Sequence, residues 1–143
     1  MLIKVIYQSK TGNTEKVAVS IATATGIRSE SIGSAKKMEN VDLLFIGAGI
    51  IGGKVDASML SFIAGLDSTK VKNAAIFGTY GWQKKGLEVM KELLKAQGIN
   101  VLDEAFGCKG KFWAIFNSKH PDDKDLSNAV TFANRAIKQV KNA

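Results

Sequence analysis

Short apolar runs of strand length alternate along this chain with longer segments whose apolar residues recur every three or four positions. That alternation predicts a parallel sheet with crossover helices. The first run, Leu2 to Tyr7, reads as a strand. From Asn13 to Thr25, the residues Val17, Ala18, Ile21, Ala22 and Ala24 share one helical face, and Gly26 supplies the left-handed residue that stops a helix. A weaker strand is expected from Ile27 to Ile32. Leu43 to Gly47 is apolar without interruption, as a strand buried on both faces should be, and marks the centre of the sheet.

Further along, Asp56 is placed to cap a helix reaching about as far as Gly65. Ala74 to Gly78 makes a fourth strand, Lys85 to Gln97 a strongly amphipathic helix closed by Gly98, and Ile99 to Phe106 a fifth strand. After an irregular stretch from Cys108 to Lys119, His120-Pro121-Asp122-Asp123 puts proline and acids where a first helical turn favours them, and Arg135, Lys138 and Lys141 stand at the far end. The pattern is α/β: an open, doubly wound, five-stranded parallel sheet flanked by helices, in a single domain spanning 1–143. Ligands of such sheets bind outside the carboxyl ends of the strands, where the strand order reverses. Three loops are expected to meet there: Gln8 to Thr14, Gly47 to Val55, and Gly78 to Lys85.

The second loop carries G-x-G-x-x-G in Gly47 to Gly52, directly after an apolar run, which is the form of a dinucleotide-binding turn. Its position argues against a nicotinamide. That fingerprint follows a first strand and opens straight into a helix, whereas this one follows the third strand, and Gly53 and Lys54 delay the helix. A better phosphate site is Ser9-Lys10-Thr11-Gly12-Asn13-Thr14, between the first strand and the first helix. There the free N–H groups and the positive helix end face outward, and Ser9, Thr11, Asn13 and Thr14 add side-chain donors. The loop lacks the G-x-x-x-x-G-K-[ST] spacing that wraps a triphosphate, so a single terminal phosphate is the better match. The plainer alternative is an ordinary helix cap formed by Thr11 or Asn13.

Composition narrows the classes. No apolar run approaches the roughly 20 residues that cross a bilayer, and the first residues lack the features of a signal peptide, so a cytoplasmic protein without membrane association is expected. A lone cysteine, Cys108, and a lone histidine, His120, leave no internal disulfide and disfavour a metal centre. The formal charge of +7, from 20 Lys and Arg against 13 Asp and Glu, favours anionic partners. The lysines are scattered in pairs without a basic, aromatic-studded element, which disfavours nucleic acid.

The stretch Tyr7 to Ala18, YQSKTGNTEKVA, resembles the phosphate-binding loop of flavodoxins, and Gly78-Thr79-Tyr80-Gly81-Trp82 resembles the loop after their fourth strand. Both stand in the expected order and spacing, and the resemblance, closest to the short-chain type, covers essentially the whole chain. It implies the strand order 2-1-3-4-5 with FMN at the switch point. By similarity, Ser9, Lys10, Thr11, Gly12, Asn13 and Thr14 would enclose the FMN phosphate. Thr79, Tyr80, Gly81 and Trp82 would form one wall of the ring site, with Trp82 against one face of the isoalloxazine. Gly49, Ile50, Ile51 and Gly52 would form the other, with Ile51 over the second face. The Gly52-Gly53 peptide could turn over on reduction and stabilise the one-electron-reduced flavin, since glycine accepts either orientation. The plainer reading of Trp82 is a core aromatic.

This resemblance implies a low-potential electron carrier shuttling electrons between redox proteins, working as a monomer. The alternative is a small FMN-dependent NAD(P)H or quinone reductase, for which Lys109 to Trp113 is the candidate pocket wall. A third reading is a binding module that kept the fold and lost the cofactor. Two features depart from the family pattern: Gly53-Lys54 stands where an acidic residue is common, and the chain is basic where relatives are usually acidic. Lys54, Lys84, Lys85, Lys109 and Lys111 all fall on loops at the carboxyl edge. A positive ring there would raise the second reduction potential and select an acidic redox partner. After the fifth strand, backbone around Gly107 to Gly110 could reach the flavin's polar edge and Trp113 could form a partner or substrate surface; the plainer reading is a loop whose Phe112, Trp113 and Phe116 pack on the core. Cys108 is either a buried inert thiol or one with a pKa lowered by Lys109.

Overall fold

The computed structural model describes residues 1–35, 38–81, 84–110 and 119–143. Strand β1 (Ile3–Gln8) leads into helix α1 (Asn13–Thr25), and a short β2 (Ser29–Ser31) precedes the long central β3 (Val41–Ile50). Helix α2 (Ala57–Ala64), strand β4 (Val71–Tyr80) and helix α3 (Lys85–Ala96) follow. Strands β5 (Asn100–Val101) and β6 (Phe106–Lys109) and helix α4 (Asp123–Lys141) complete the fold. The sheet runs β2-β1-β3-β4, with both β5 and β6 on the far side of β4, and all pairings are parallel.

The expected fifth strand, Ile99 to Phe106, is therefore divided. Ala74 pairs with Val101 and Phe77 with Phe106, so four residues on the outer strand face two on β4. The surplus bulges outward because Asp103 and Glu104 belong in water: both are exposed, while Leu102 between them and β5 is buried. The Glu104 carboxylate then meets Arg135 of α4 at 3.0 Å.

A second correction concerns length. The central strands run on through residues expected as loop: β3 reaches Ile50 and β4 reaches Tyr80. Gly47 and Gly78 are strand positions chosen for closeness. A Cβ on Gly47 would fall 2.1 Å from the Phe77 ring, and one on Gly78 would fall 2.7 Å from the Ala48 carbonyl. Strand β2, at the sheet edge, is shorter than the weak strand expected from Ile27 to Ile32.

Both faces of the sheet are covered, which is why its central strands are apolar throughout. Ile6, Leu44, Ile46 and Ile76 pack toward α2 and α3 with Met59, Ile63, Met90 and Leu94. Val5, Leu43, Phe45 and Phe77 pack toward α1 and α4 with Ile21, Phe132 and Ala133. Each fully buried large side chain among them is worth about 1.5–3 kcal/mol of transfer free energy. Among the described residues no helix is long and apolar enough to cross a membrane.

Candidate functional site

A cavity of about 250 Å³ opens at the carboxyl ends of β1, β3 and β4. Ser9, Lys10, Thr11, Asn13 and Thr14 line it from the β1–α1 loop, Gly49, Ile50 and Ile51 from the end of β3, and Thr79, Tyr80 and Gly81 from the end of β4. The topology thus brings the sequence-predicted groups together. Gly12 and Gly52 are not among the lining residues, and Trp82 lies outside the described residues, as do Lys111, Phe112, Trp113 and Phe116.

Gln8, which opens the first of the three loops expected at the site, and Gly110, which ends the stretch after the expected fifth strand, also line the cavity, beyond the residues assigned to FMN. Gly110 follows β6 and comes so near α1 that a Cβ there would lie 2.8 Å from the Asn13 amide nitrogen. Only the three-dimensional packing of β6 beside β4 reveals that approach. Gln8 ends β1 opposite Ala48 of β3, 8% exposed, and its Oε1 is buried without a hydrogen-bond partner.

Helix α1 starts unusually. Its cap is Gly12 at φ 87°, and no side chain caps the first turn. The cap position thus falls on Gly12 and not on Thr11 or Asn13. Ser9 Oγ instead accepts the Gly12 N–H at 3.1 Å. The Thr14 hydroxyl, buried, pairs with the Thr79 hydroxyl at 2.8 Å and ties the start of α1 to the end of β4. Glu15 receives the Tyr7 phenol at 2.5 Å, which pushes the Tyr7 pKa up to about 12. Lys10 meets Asp56, the cap of α2, at 3.0 Å. The Ser58 hydroxyl and then Lys10 hold the Asp56 carboxyl down at about 2.

Beyond Ile50 the chain reverses in a tight two-residue turn. Ile51 and Lys54 exchange both backbone hydrogen bonds, at 3.1 and 3.0 Å, around Gly52 at φ 59° and Gly53 at φ 78°. Two consecutive positive φ values are the signature of a hairpin turn that glycine makes without strain. A Cβ on Gly52 would meet open space, so backbone conformation and not packing selects glycine there. Ile51, at 52% exposure, stands out from this turn at the cavity edge.

On the far side of Tyr80 a second cavity, about 330 Å³, holds Cys108, Lys109, His120 and Asp125. Cys108 is buried, and burial followed by the charges of Asp125 and Asp122 pushes its thiol up to about 12. The alternative of a Lys109-activated thiol is thereby overturned.

A family profile described as the flavodoxin domain matches residues 4–118. The chain belongs to the flavodoxin family. An uncharacterised protein of Methanocaldococcus jannaschii is 34% identical over 138 residues, covering 88% of this chain and 91% of that one. The flavodoxin of Clostridium beijerinckii is 30% identical over 113 residues, covering 71% of this chain and 81% of its own. In structure, a flavodoxin from the domain Archaea superposes with a TM-score of 0.84 at 22% identity over 99% of both chains, a likeness of fold.

Flavodoxins are a family of FMN-binding electron carriers. The residues present here fit FMN. The glycine-capped start of α1 offers N–H donors and hydroxyls to a phosphate, without a carboxylate among the described lining residues. Ile50, Ile51 and Tyr80 offer flat or apolar surface to a ring system, and the Gln8 Oε1 is an acceptor lacking a donor.

Proposed function

We propose that this protein is an FMN-binding electron carrier, passing electrons between redox proteins. The observation that carries the reading is the α1 start, left without a side-chain cap inside a cavity that also gathers the ends of β3 and β4. When bound, FMN supplies the electron chemistry, accepting and releasing one or two electrons. The chain's own part is to bind and to tune. Ser9, Lys10, Thr11, Gly12, Asn13 and Thr14 would hold the phosphate. Gly49 to Gly52 and Thr79 to Trp82 would hold the ring, and the two-glycine turn can reorient its peptide without a side-chain penalty. Among the described residues that line the cavity there is no histidine, cysteine or carboxylate to serve as an acid, base or nucleophile for a separate substrate.

Titrating the apoprotein with FMN, followed by flavin fluorescence, tests binding; stepwise reduction of the complex and transfer to a redox protein test the carrier role. Stoichiometric binding with electron transfer to a protein acceptor is the expected result. Rapid turnover with NAD(P)H and a quinone would move the assignment to the reductase, and failure to bind FMN would overturn both.

A further inference from the structure

Four lysines stand on the chain segments that carry the cavity's lining residues. Lys54 is fixed beside Ile51 by the paired backbone hydrogen bonds of the glycine turn. Lys109 sits in register with Tyr80, directly before Gly110. Lys84 and Lys85 open α3 just past Gly81. All four are exposed, and among the described residues none forms an ion pair with a carboxylate. Asp56, the cap of α2, is already paired with Lys10. Among these lysines the half-exposed Ile51, at the cavity edge, offers an apolar contact.

An apolar centre with a charged rim is the anatomy of a transient protein interface. Lysines predominate there: Asp56 is paired with Lys10, and Asp125 lies in the second cavity beside Lys109. We infer that this rim is the docking surface for an acidic redox protein whose own redox centre is bordered by aspartates and glutamates. This rests on the electron-carrier reading above. Lysines drawn from three separate segments that adjoin the cavity would attract such a partner before contact and align the two centres, while a basic partner would be repelled.

The steering must weaken with salt, because exposed charges are screened beyond about 10 Å at 0.1 M ionic strength. The test uses an acidic ferredoxin and, as the contrasting probe, basic cytochrome c. Reduced ferredoxin gives up one electron and the flavin of the loaded protein gains it; for cytochrome c the reduced protein gives up the electron and the haem iron gains it. The second-order rate with ferredoxin should fall at least about tenfold between low and high salt, and that with cytochrome c should hold or rise. A triple variant, Lys54→Glu, Lys84→Glu and Lys109→Glu, should reverse both trends while keeping its FMN stoichiometry. Retention of the apoprotein on immobilised ferredoxin, weakened by salt and by the triple substitution, provides a readout independent of flavin. Rates and retention indifferent to salt and to the three substitutions would overturn the docking surface. Failure of FMN to load, with retention intact, would overturn the carrier reading alone.

Discussion

At the start of α4 the Asp122 carboxylate accepts the Asp125 N–H at 2.8 Å, and the Asp125 carboxylate accepts the Asp122 N–H at 2.9 Å. His120 adds its Nδ1 to Asp125 at 2.6 Å. At the start of α1 the cap is a bare glycine, and Glu15, placed where the reciprocal acid of a capping box would stand, is occupied by Tyr7. Both helices present the same orphan N–H groups and the same positive end. One fills that end with its own carboxylates; the other opens it onto a cavity. The contrast separates a helix start that serves stability from one shaped to receive an anion from outside.

Placing a carboxylate at the open start should break the contrast most strongly. In Thr11→Asp the new charge would face a phosphate dianion. Repulsion of about 3 kcal/mol at an effective dielectric near 20 lowers FMN affinity roughly 100-fold or more. Riboflavin, which lacks the phosphate, should bind Thr11→Asp about as it binds the wild type. Fluorescence titration with both ligands decides it: equal losses for the two would mean that the loop does not read the phosphate.

The bond between Thr14 and Thr79 holds the open start in place, and its removal should cost stability. Thr14→Val leaves the buried Thr79 hydroxyl without its partner, a loss of about 1–2 kcal/mol. Adding Thr79→Val should recover part of this, because two apolar groups of similar shape leave nothing unsatisfied. Denaturant melts of the two single variants and the double variant measure the coupling, and simple additivity would deny the bond a role.

The capped start should respond to acid instead. The Asp125 N–H holds the Asp122 carboxyl below the usual carboxylate range, followed in effect by the Asp125 side chain and His120. A depressed folded pKa means stability that is present above the unfolded value, about 3.9, and is lost as the pH falls through the folded one. Asp122→Ala should therefore lower the Tm by a few degrees near neutrality, with the difference closing in acid. FMN affinity should be unchanged. A loss of affinity equal to that of Thr11→Asp would erase the distinction between the two helix starts.

How far this distinction could be read beforehand differs along the chain. The α4 cap was legible because proline and clustered acids before an amphipathic run are local signals, and so were the bounds of α1, fixed by Asn13 and Gly26. The phosphate loop was legible through its run of hydroxyl and amide residues. The split of the fifth strand was not, since it depends on the register of Val101 and Phe106 against β4. Nor was the bond of Thr14 to Thr79, which links residues 65 positions apart. Nor was the nearness of Gly110 to Asn13, which arises only when β6 docks beside β4.

Gln8 offers the finest test. Among the described residues its Oε1 is the single buried side-chain polar atom lacking a hydrogen bond, and Gln8 lies immediately before the open loop. A buried acceptor without a donor destabilises the ligand-free protein, so Gln8→Leu should leave its stability unchanged or raise it by up to about 1 kcal/mol. A carboxamide oxygen is poorly suited to face phosphate oxygens, but suits the hydroxyls of the ribityl chain joining phosphate to ring. If those hydroxyls supply the missing donor, Gln8→Leu should weaken FMN and riboflavin alike by several-fold, about 1 kcal/mol, and leave lumiflavin, which has no ribityl chain, unaffected. Equal affinities of wild type and variant for all three flavins would instead make the unpaired oxygen a packing cost of the β1 end, unrelated to ligand.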